Sequence, residues 1–329
     1  MKAILARKYG TPDVLTLEEV DQPTPEGNQV LVKIHAAATN PLYWHRMEGK
    51  IPMLRKRYGD PQPTDPTMGG DCAGTVVAVG KDVTRFAVGD AVFGGAQGAF
   101  AEYALAAEKN LVHKPERISF VDAAAIPVGG LTALQGLRDQ GQITSGQRVL
   151  IIGASGGVGS YAVQIAKSFK THVTAVCSTR NIDMIKRIGA DEVIDYTQQD
   201  WSGTGPYDII LDMVGDRPFD VYVENLTPEG RMVSAGSLSM NPVEFMAKMG
   251  SYKGSEEEAK VFSYIAQFKT DDLTTLAHLM ETGEVKSVID RTFPLEETAD
   301  AMAMQGSKRI SGKVVIVIQD HDPEQQATG

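Results

Sequence analysis

The chain has 329 residues, 42% of them hydrophobic and 22% charged, with a formal net charge of −10. That length suggests two domains of an ordinary globular protein, and the acidic balance excludes generalised binding to nucleic acid or to an anionic membrane surface. No apolar run is long enough to span a bilayer, residues 1–10 break too soon for a signal peptide, and the two isolated cysteines, Cys72 and Cys177, suggest reduced thiols in a cytoplasm.

Residues 1–115 carry short β runs at 30–35, 74–79, 90–93 and 100–104. Turn signals such as Pro23-Thr24-Pro25-Glu26-Gly27 and Val88-Gly89-Asp90 separate them, so this part reads as a compact all-β unit. From Val121 helix and strand patterns alternate, the signature of a parallel sheet, with strands expected at 148–153, 172–177, 192–195, 207–213 and 230–234. A helix near Asp271 (Leu273, Leu276, Leu279, Met280) leads to another over 295–304. The last β run, 313–318, is expected to return to the N-terminal unit, and the polar tail 319–329 to fray.

Residues 148–159, RVLIIGASGGVG, are an apolar β-branched run ending in a glycine-rich turn, and the helical pattern Val158, Ala162, Val163, Ile165, Ala166 follows. This is the strand–turn–helix context of a dinucleotide fingerprint, with Ala154, Gly156 and Gly159 in the G-x-G-x-x-G frame. Small residues admit a pyrophosphate, and the first N–H groups of the helix receive its charge. Ser155, Gly156, Gly157, Val158 and Gly159 are the candidate contacts; the alternative is a merely structural βα turn.

The strand at 172–177 ends in Cys177-Ser178-Thr179-Arg180-Asn181, where an NAD-preferring site usually has a carboxylate. Asp183 is the first acid, and it lies in the next helical pattern. The hydroxyls of Ser178 and Thr179 and the Arg180 guanidinium favour a 2′-phosphate, hence NADPH, unless Arg180 is only a solvated residue at a helix start.

Several segments together resemble the medium-chain dehydrogenase/reductase superfamily in its zinc-free, zeta-crystallin-like quinone oxidoreductase branch. They are the N-terminal MKAILARKYGTPDVLTLEEV, MGGDCAGTVVAVG at 68–80, FAVGDAVFG at 86–94, AAIPVGGLTALQGL at 124–137, VLIIGASGGVGSYAVQIAK at 149–167, IGADEVIDY at 188–196 and SGKVVIVI at 311–318. The resemblance implies an α/β protein with a GroES-like β domain (1–122 and 270–329) and a Rossmann, doubly wound parallel-sheet domain (123–269). It also implies a cleft between the two, and a homodimer.

Where zinc-dependent relatives have Gly-His-Glu, this chain has Gly69-Gly70-Asp71, so Gly70 replaces the ligand histidine. The loop that offers a cysteine in those relatives reads Ala38-Thr39-Asn40-Pro41-Leu42-Tyr43, and the third ligand position falls in Pro127-Val128-Gly129-Gly130. A catalytic zinc needs about three protein ligands, and no metal is expected. Without its Lewis acidity the acceptor must already be electrophilic, a quinone or an α,β-unsaturated carbonyl.

The resemblance places Asn40 beside nicotinamide and substrate, although Asn40-Pro41 is also a good turn signal. It places Thr132 facing the nicotinamide, where the alternative is a helix-terminal threonine, and Tyr196 on the adenosine. Tyr43 or His45 could donate a proton; Tyr43 and Trp44 could equally be core packing. Val214, Ala235 and Gly236 follow successive strand ends, where small residues leave room for ribose and nicotinamide. The basic stretch 44–58 reads as a solvated loop or as a rim for an anionic substrate, and 238–252, rich in methionine, as a lipophilic pocket wall or a core helix.

These readings converge on an NADPH-dependent, zinc-independent reductase acting on a small lipophilic electrophile. An enoyl-thioester reductase and a non-catalytic, crystallin-like dinucleotide binder are the alternatives.

Overall fold

The computed structural model describes residues 1–235 and 260–318. Both ends of the chain contribute to one sheet. β1 (Lys2–Ala6) and β2 (Leu15–Glu19) pair as an antiparallel hairpin beside it. The central strand is β3 (Gln29–Ala38), followed by the helices α1 (Pro41–Glu48) and α2 (Pro52–Tyr58) and the strands β4 (Asp71–Val79), β5 (Ala91–Gly95), β6 (Tyr103–Ala107) and β7 (Leu111–His113). The chain then passes through α3 (Phe120–Ala125) and α4 (Pro127–Gln135) into the second unit.

That unit is built from β8 (Arg148–Ile152), α5 (Gly159–Ser168), β9 (His172–Cys177), α6 (Ile182–Arg187), β10 (Glu192–Asp195), β11 (Tyr207–Asp212), α7 (Phe219–Glu224), β12 (Leu226–Ser234) and β13 (Val261–Ser263). Its strands are parallel, in the order β10-β9-β8-β11-β12-β13. Strand order reverses between β8 and β11, which makes the carboxyl ends of these two strands the ligand crevice of an open α/β sheet.

Finally α8 (Thr270–Glu281), β14 (Ile289–Pro294), α9 (Thr298–Gly306) and β15 (Lys313–Val317) lead back. The first sheet runs β14-β15-β3-β4-β5-β7, with β6 also on β3, so β15 lies directly against β3. One buried cluster fills this sheet; another, including Leu134, Val149, Ile151, Tyr161 and Val163, packs α4 and α5 under the parallel sheet.

Two expectations change. The basic stretch 44–58, read as a solvated loop or a rim for an anionic substrate, falls within two helices, α1 and α2. Each opens on a proline at its first position and closes at a glycine, Gly49 (φ 64) or Gly59, the punctuation that begins and ends a short helix. The strand expected at 100–104 lies at 103–107, because Phe100 is spent on packing against Tyr43, ring centroids 5.9 Å apart. Gly236, the segment 238–252 and the tail 319–329 lie outside the described residues. Among the described residues no helix is long and apolar enough to cross a membrane.

Candidate active site

The glycine-rich turn leaves β8 at the switch point. Gly153 has φ +80, and a Cβ on Gly159 would collide with the Gly153 carbonyl and Ala154, so these two glycines set the turn and the approach of helix to strand. Gly156 differs: a Cβ there meets only the Gly153 oxygen, at 3.5 Å. The N-cap of α5 is Val158, which has no side-chain acceptor. Ser160 N already donates to the Gly156 carbonyl (3.0 Å), so what the turn offers an anion is chiefly the positive end of the helix. These features fit the pyrophosphate of a dinucleotide.

Beyond the turn, Ser155, Ser178 and Ser311 are joined by one amide. Asn181 Nδ2 donates to Ser155 Oγ (2.9 Å) and Ser178 Oγ (3.4 Å), and Ser311 Oγ donates to Asn181 Oδ1 (2.7 Å). Arg180 donates to the Arg309 carbonyl, which brings Lys308 and Arg309 to the same exposed edge. Thr179 Oγ1 is turned to Asp195 Oδ2 (2.5 Å) and Thr197 Oγ1 (2.9 Å) at the end of β10. A carboxylate that sequence reading did not weigh thus lies beside the hydroxyl. Tyr196, next to it, is 62% exposed, an open ring face.

At the neighbouring strand end, Asp212 is buried and organises the turn after β11. Its Oδ1 accepts from Val214 N (2.8 Å), and its Oδ2 from Gly215 N (2.8 Å) and Tyr222 Oη (2.7 Å). Burial pushes its carboxyl up to about 6, against those three hydrogen bonds. Ala235 N is held by the Asp212 carbonyl at 2.9 Å.

The strands of the first unit supply a buried polar cluster. Asn40, the N-cap of α1, is 2% exposed. Its Nδ2 donates to Asp71 Oδ2 (2.9 Å), and its Oδ1 accepts from Lys313 Nζ (2.5 Å). Lys313 also donates to the Thr39 carbonyl (3.1 Å) and lies 4.0 Å from Asp71 Oδ2, which accepts in addition from Val128 N at the start of α4 (3.0 Å). The stem of Lys313 crosses the dinucleotide turn, since a Cβ on Gly157 would come 3.0 Å from its Cδ. Gly312 N bonds the Ser155 carbonyl at 2.8 Å. Burial pushes Asp71 up to about 6, with Lys313, Asn40 and Val128 opposing; it pushes Lys313 down to about 8, with Asp71 opposing.

Lys313 and Asp71 were not singled out by sequence reading. A lysine heading the otherwise apolar run VVIVI was the available signal, because a charge at the start of a buried strand needs a partner.

Tyr43 is 7% exposed and its hydroxyl occupies the space a side chain at Gly70 would take. Burial, then the nearby Asp71 charge, holds its phenol well above the ordinary tyrosine range. Thr132 is half-buried within α4, not at its N-terminus, and its hydroxyl donates to the Val128 carbonyl (2.7 Å). His45 faces Glu48, 3.7 Å away. Of the basic stretch, Arg46 is buried against Asp65 and Tyr58, and Arg55 pairs with Asp60. Among the described residues no three metal-ligating side chains converge.

A GroES-like sheet, a parallel dinucleotide-type sheet and a polar cluster where they meet define a two-domain oxidoreductase. Residues 26–116 match the family described as alcohol dehydrogenase GroES-like domain, and residues 188–316 that described as zinc-binding dehydrogenase. A chloroplast envelope quinone oxidoreductase homolog of Arabidopsis thaliana is 35% identical over 91% of this chain and 92% of its own. An NADPH-dependent alkenal/one oxidoreductase of the same plant is 32% identical over 96% of this chain and 79% of its own. The solved quinone oxidoreductase of Coxiella burnetii superposes with a TM-score of 0.85 at 30% identity, covering 97% of this chain and 99% of that one. The chain belongs to the quinone oxidoreductase branch of the medium-chain dehydrogenase/reductase superfamily.

Proposed function

We propose that this chain is an NADPH-dependent reductase that delivers hydride to a quinone or an α,β-unsaturated carbonyl without a metal ion. The observation that carries this reading is the place of Tyr43. Its hydroxyl occupies the volume over Gly70, where zinc-dependent members have a ligand, and the neighbouring positions carry an amide–carboxylate–ammonium cluster. Such a cluster can orient a carbonyl and balance developing negative charge, but it offers no Lewis acid for an unactivated alcohol. The bound dinucleotide supplies the hydride. Asn40 orients the acceptor carbonyl with its remaining N–H; Thr132 lines the nicotinamide side. Ser155, Gly156, Gly157, Val158 and Gly159 hold the pyrophosphate, and Val214, Ala235 and Gly236 the ribose and nicotinamide.

The 2′-phosphate is assigned to Arg180, with Ser178 and the adjoining Lys308 and Arg309. Thr179 is committed to Asp195, so the guanidinium carries most of the preference. An enoyl-thioester substrate is favoured less. The surface groove that would take an anionic carrier is lined by Lys50, Arg55 and Lys56 but also by Glu48 and Asp60. We also infer a homodimer: among the described residues β13 pairs only with β12, and Ile265 beyond it is 77% exposed.

The test is steady-state oxidation of NADPH or NADH with 1,4-benzoquinone, an alkenal and crotonyl-CoA, and ethanol with NADP⁺ as the reverse control. Quinone or alkenal reduction should lead, with NADPH preferred. Arg180→Ala should weaken NADPH roughly ten-fold and leave NADH nearly unchanged, the loss of one charge-assisted contact. Faster ethanol oxidation would overturn the reductase reading; equal losses for both cofactors would remove Arg180 from the phosphate; binding without turnover would favour a non-catalytic role.

A further inference from the structure

The Asn40 cluster has more hydrogen-bonding capacity than it uses. Lys313 Nζ carries three N–H groups and directs two of them, at Asn40 Oδ1 and at the Thr39 carbonyl. Asp71 is fully buried, and its Oδ1 has no hydrogen-bond partner. Leaving a buried carboxylate oxygen unpaired costs free energy, and folded proteins rarely do so without a use for it. A spare donor and a spare acceptor thus lie together, beside the turn that takes the dinucleotide and beneath the residue that orients the acceptor.

We propose that Lys313 is the proton donor of the reaction, and that Asp71, linked to it through Asn40, is the positioning residue that keeps it charged and aimed. The proposal rests on the reductase reading above. The other titratable groups around the pair are weaker acids than Lys313. Tyr43, from α1, and Tyr161, from α5, are held by burial above the ordinary tyrosine range, and Cys72, on β4, is held neutral in the same way. Val128, from α4, presents only its backbone N–H, and Thr39, from β3, gives its hydroxyl to Gln305. Lys313, drawn down to about 8 by burial, is charged at neutrality yet acidic enough to give up its proton.

Hydride addition to the β-carbon of an enone forms a C–H bond and moves the alkene electron pair toward the carbonyl oxygen. The Lys313 N–H bond then breaks, its proton goes to that enolate oxygen, and the electron pair stays on Nζ. Solvent returns a proton to the amine. The acceptor gains two electrons and the dinucleotide loses two. A quinone leaves a stabilised hydroquinone anion that takes its proton from water, so it depends less on Lys313.

The test compares wild type, Lys313→Met, Asp71→Asn and the double variant. The readouts are kcat and KM against pH with an alkenal and with benzoquinone, and an NMR titration of the ¹⁵N-labelled Lys313 ammonium in cofactor-free protein. In wild type, alkenal kcat should fall above a pH of about 8. Lys313→Met should abolish that limb and lower alkenal kcat by roughly 100-fold with KM little changed, and cost the quinone reaction less than ten-fold. Asp71→Asn should move both the limb and the NMR titration to lower pH, because it removes the charge that holds Lys313 protonated. If Lys313→Met alone fails to fold in a thermal melt, the double variant carries the same comparison. A limb that survives loss of Lys313, equal losses with both acceptors, or a titration that Asp71→Asn leaves in place would overturn the proposal. A wild type inert with every acceptor overturns the reductase reading instead, a result distinct from an active enzyme whose pH profile ignores Lys313.

Discussion

Lys313 and Asp71 carry charge where burial resists it, and the sign of each effect on stability follows. Asp71 has a folded pKa of about 6, above the ordinary carboxylate range, so the folded state binds its proton more tightly and stability falls as pH rises toward 6. Lys313, at about 8, lies below the ordinary lysine range, so stability falls as pH drops from about 10.5 toward 8. Between 6 and 8 the fold bears both penalties, offset only in part by their attraction and by Asn40. The double variant Lys313→Met/Asp71→Asn should therefore melt roughly 2–6 °C above wild type at pH 7, with a smaller gain at pH 5 and at pH 9.5. A gain over wild type that is smaller at pH 7 than at either extreme would contradict this sign. Asn40 and Thr132 drew notice in the sequence through family resemblance. Asp71 and Lys313 did not, because a lone Asp after two glycines and a Lys at a strand start have no local pattern. Only the meeting of β15 with β3 and β4 brings them together.

At the scale of the element, the turn between β8 and α5 assigns separate duties to its glycines. Gly159 lets the helix lie on the strand; Gly156 borders open space. Gly156→Val should therefore keep its melting temperature within a few degrees and lose NADPH affinity by ten-fold or more, as measured by fluorescence titration. Gly159→Ala should lose stability first, since its Cβ runs into the Gly153 carbonyl. A Gly156→Val protein that binds NADPH undiminished would reduce the turn to a structural role. The parallel strands were legible because their β-branched runs are long and bounded by turn residues: β9 and β10 fall where expected, and β8 and β11 differ by one residue at an end. Helices α1 and α2 were not. Their apolar positions are few and their lengths short, so periodicity is weak and only the Pro starts and Gly stops betray them.

At the scale of the whole molecule, the edge at β13 and the exposed Ile265 call for a partner surface, and analytical ultracentrifugation should give twice the chain mass. A monomer at micromolar concentration would remove the dimer. The architecture was legible because motif order along the chain matches motif order along the fold. The proposed cofactor half rests largely on one continuous segment, 148–159, which a reading along the chain can find. The acceptor half draws on residues 40, 71, 128 and 313, and no window of sequence contains them together.

The position of β15 also bears on how the protein is made. It is inserted between β14 and β3, and Gly312 and Lys313 finish a turn laid down some 150 residues earlier. Synthesis proceeds from the N-terminus, and domains commonly begin to fold as they emerge. The parallel sheet is complete in sequence well before this strand leaves the ribosome, whereas the sheet that opens the chain waits for it with the flank of β3 uncovered. A premature stop between residues 159 and 313 thus leaves a polypeptide with its glycine-rich turn but without its buried ammonium. The proposed site is assembled only after this strand has emerged.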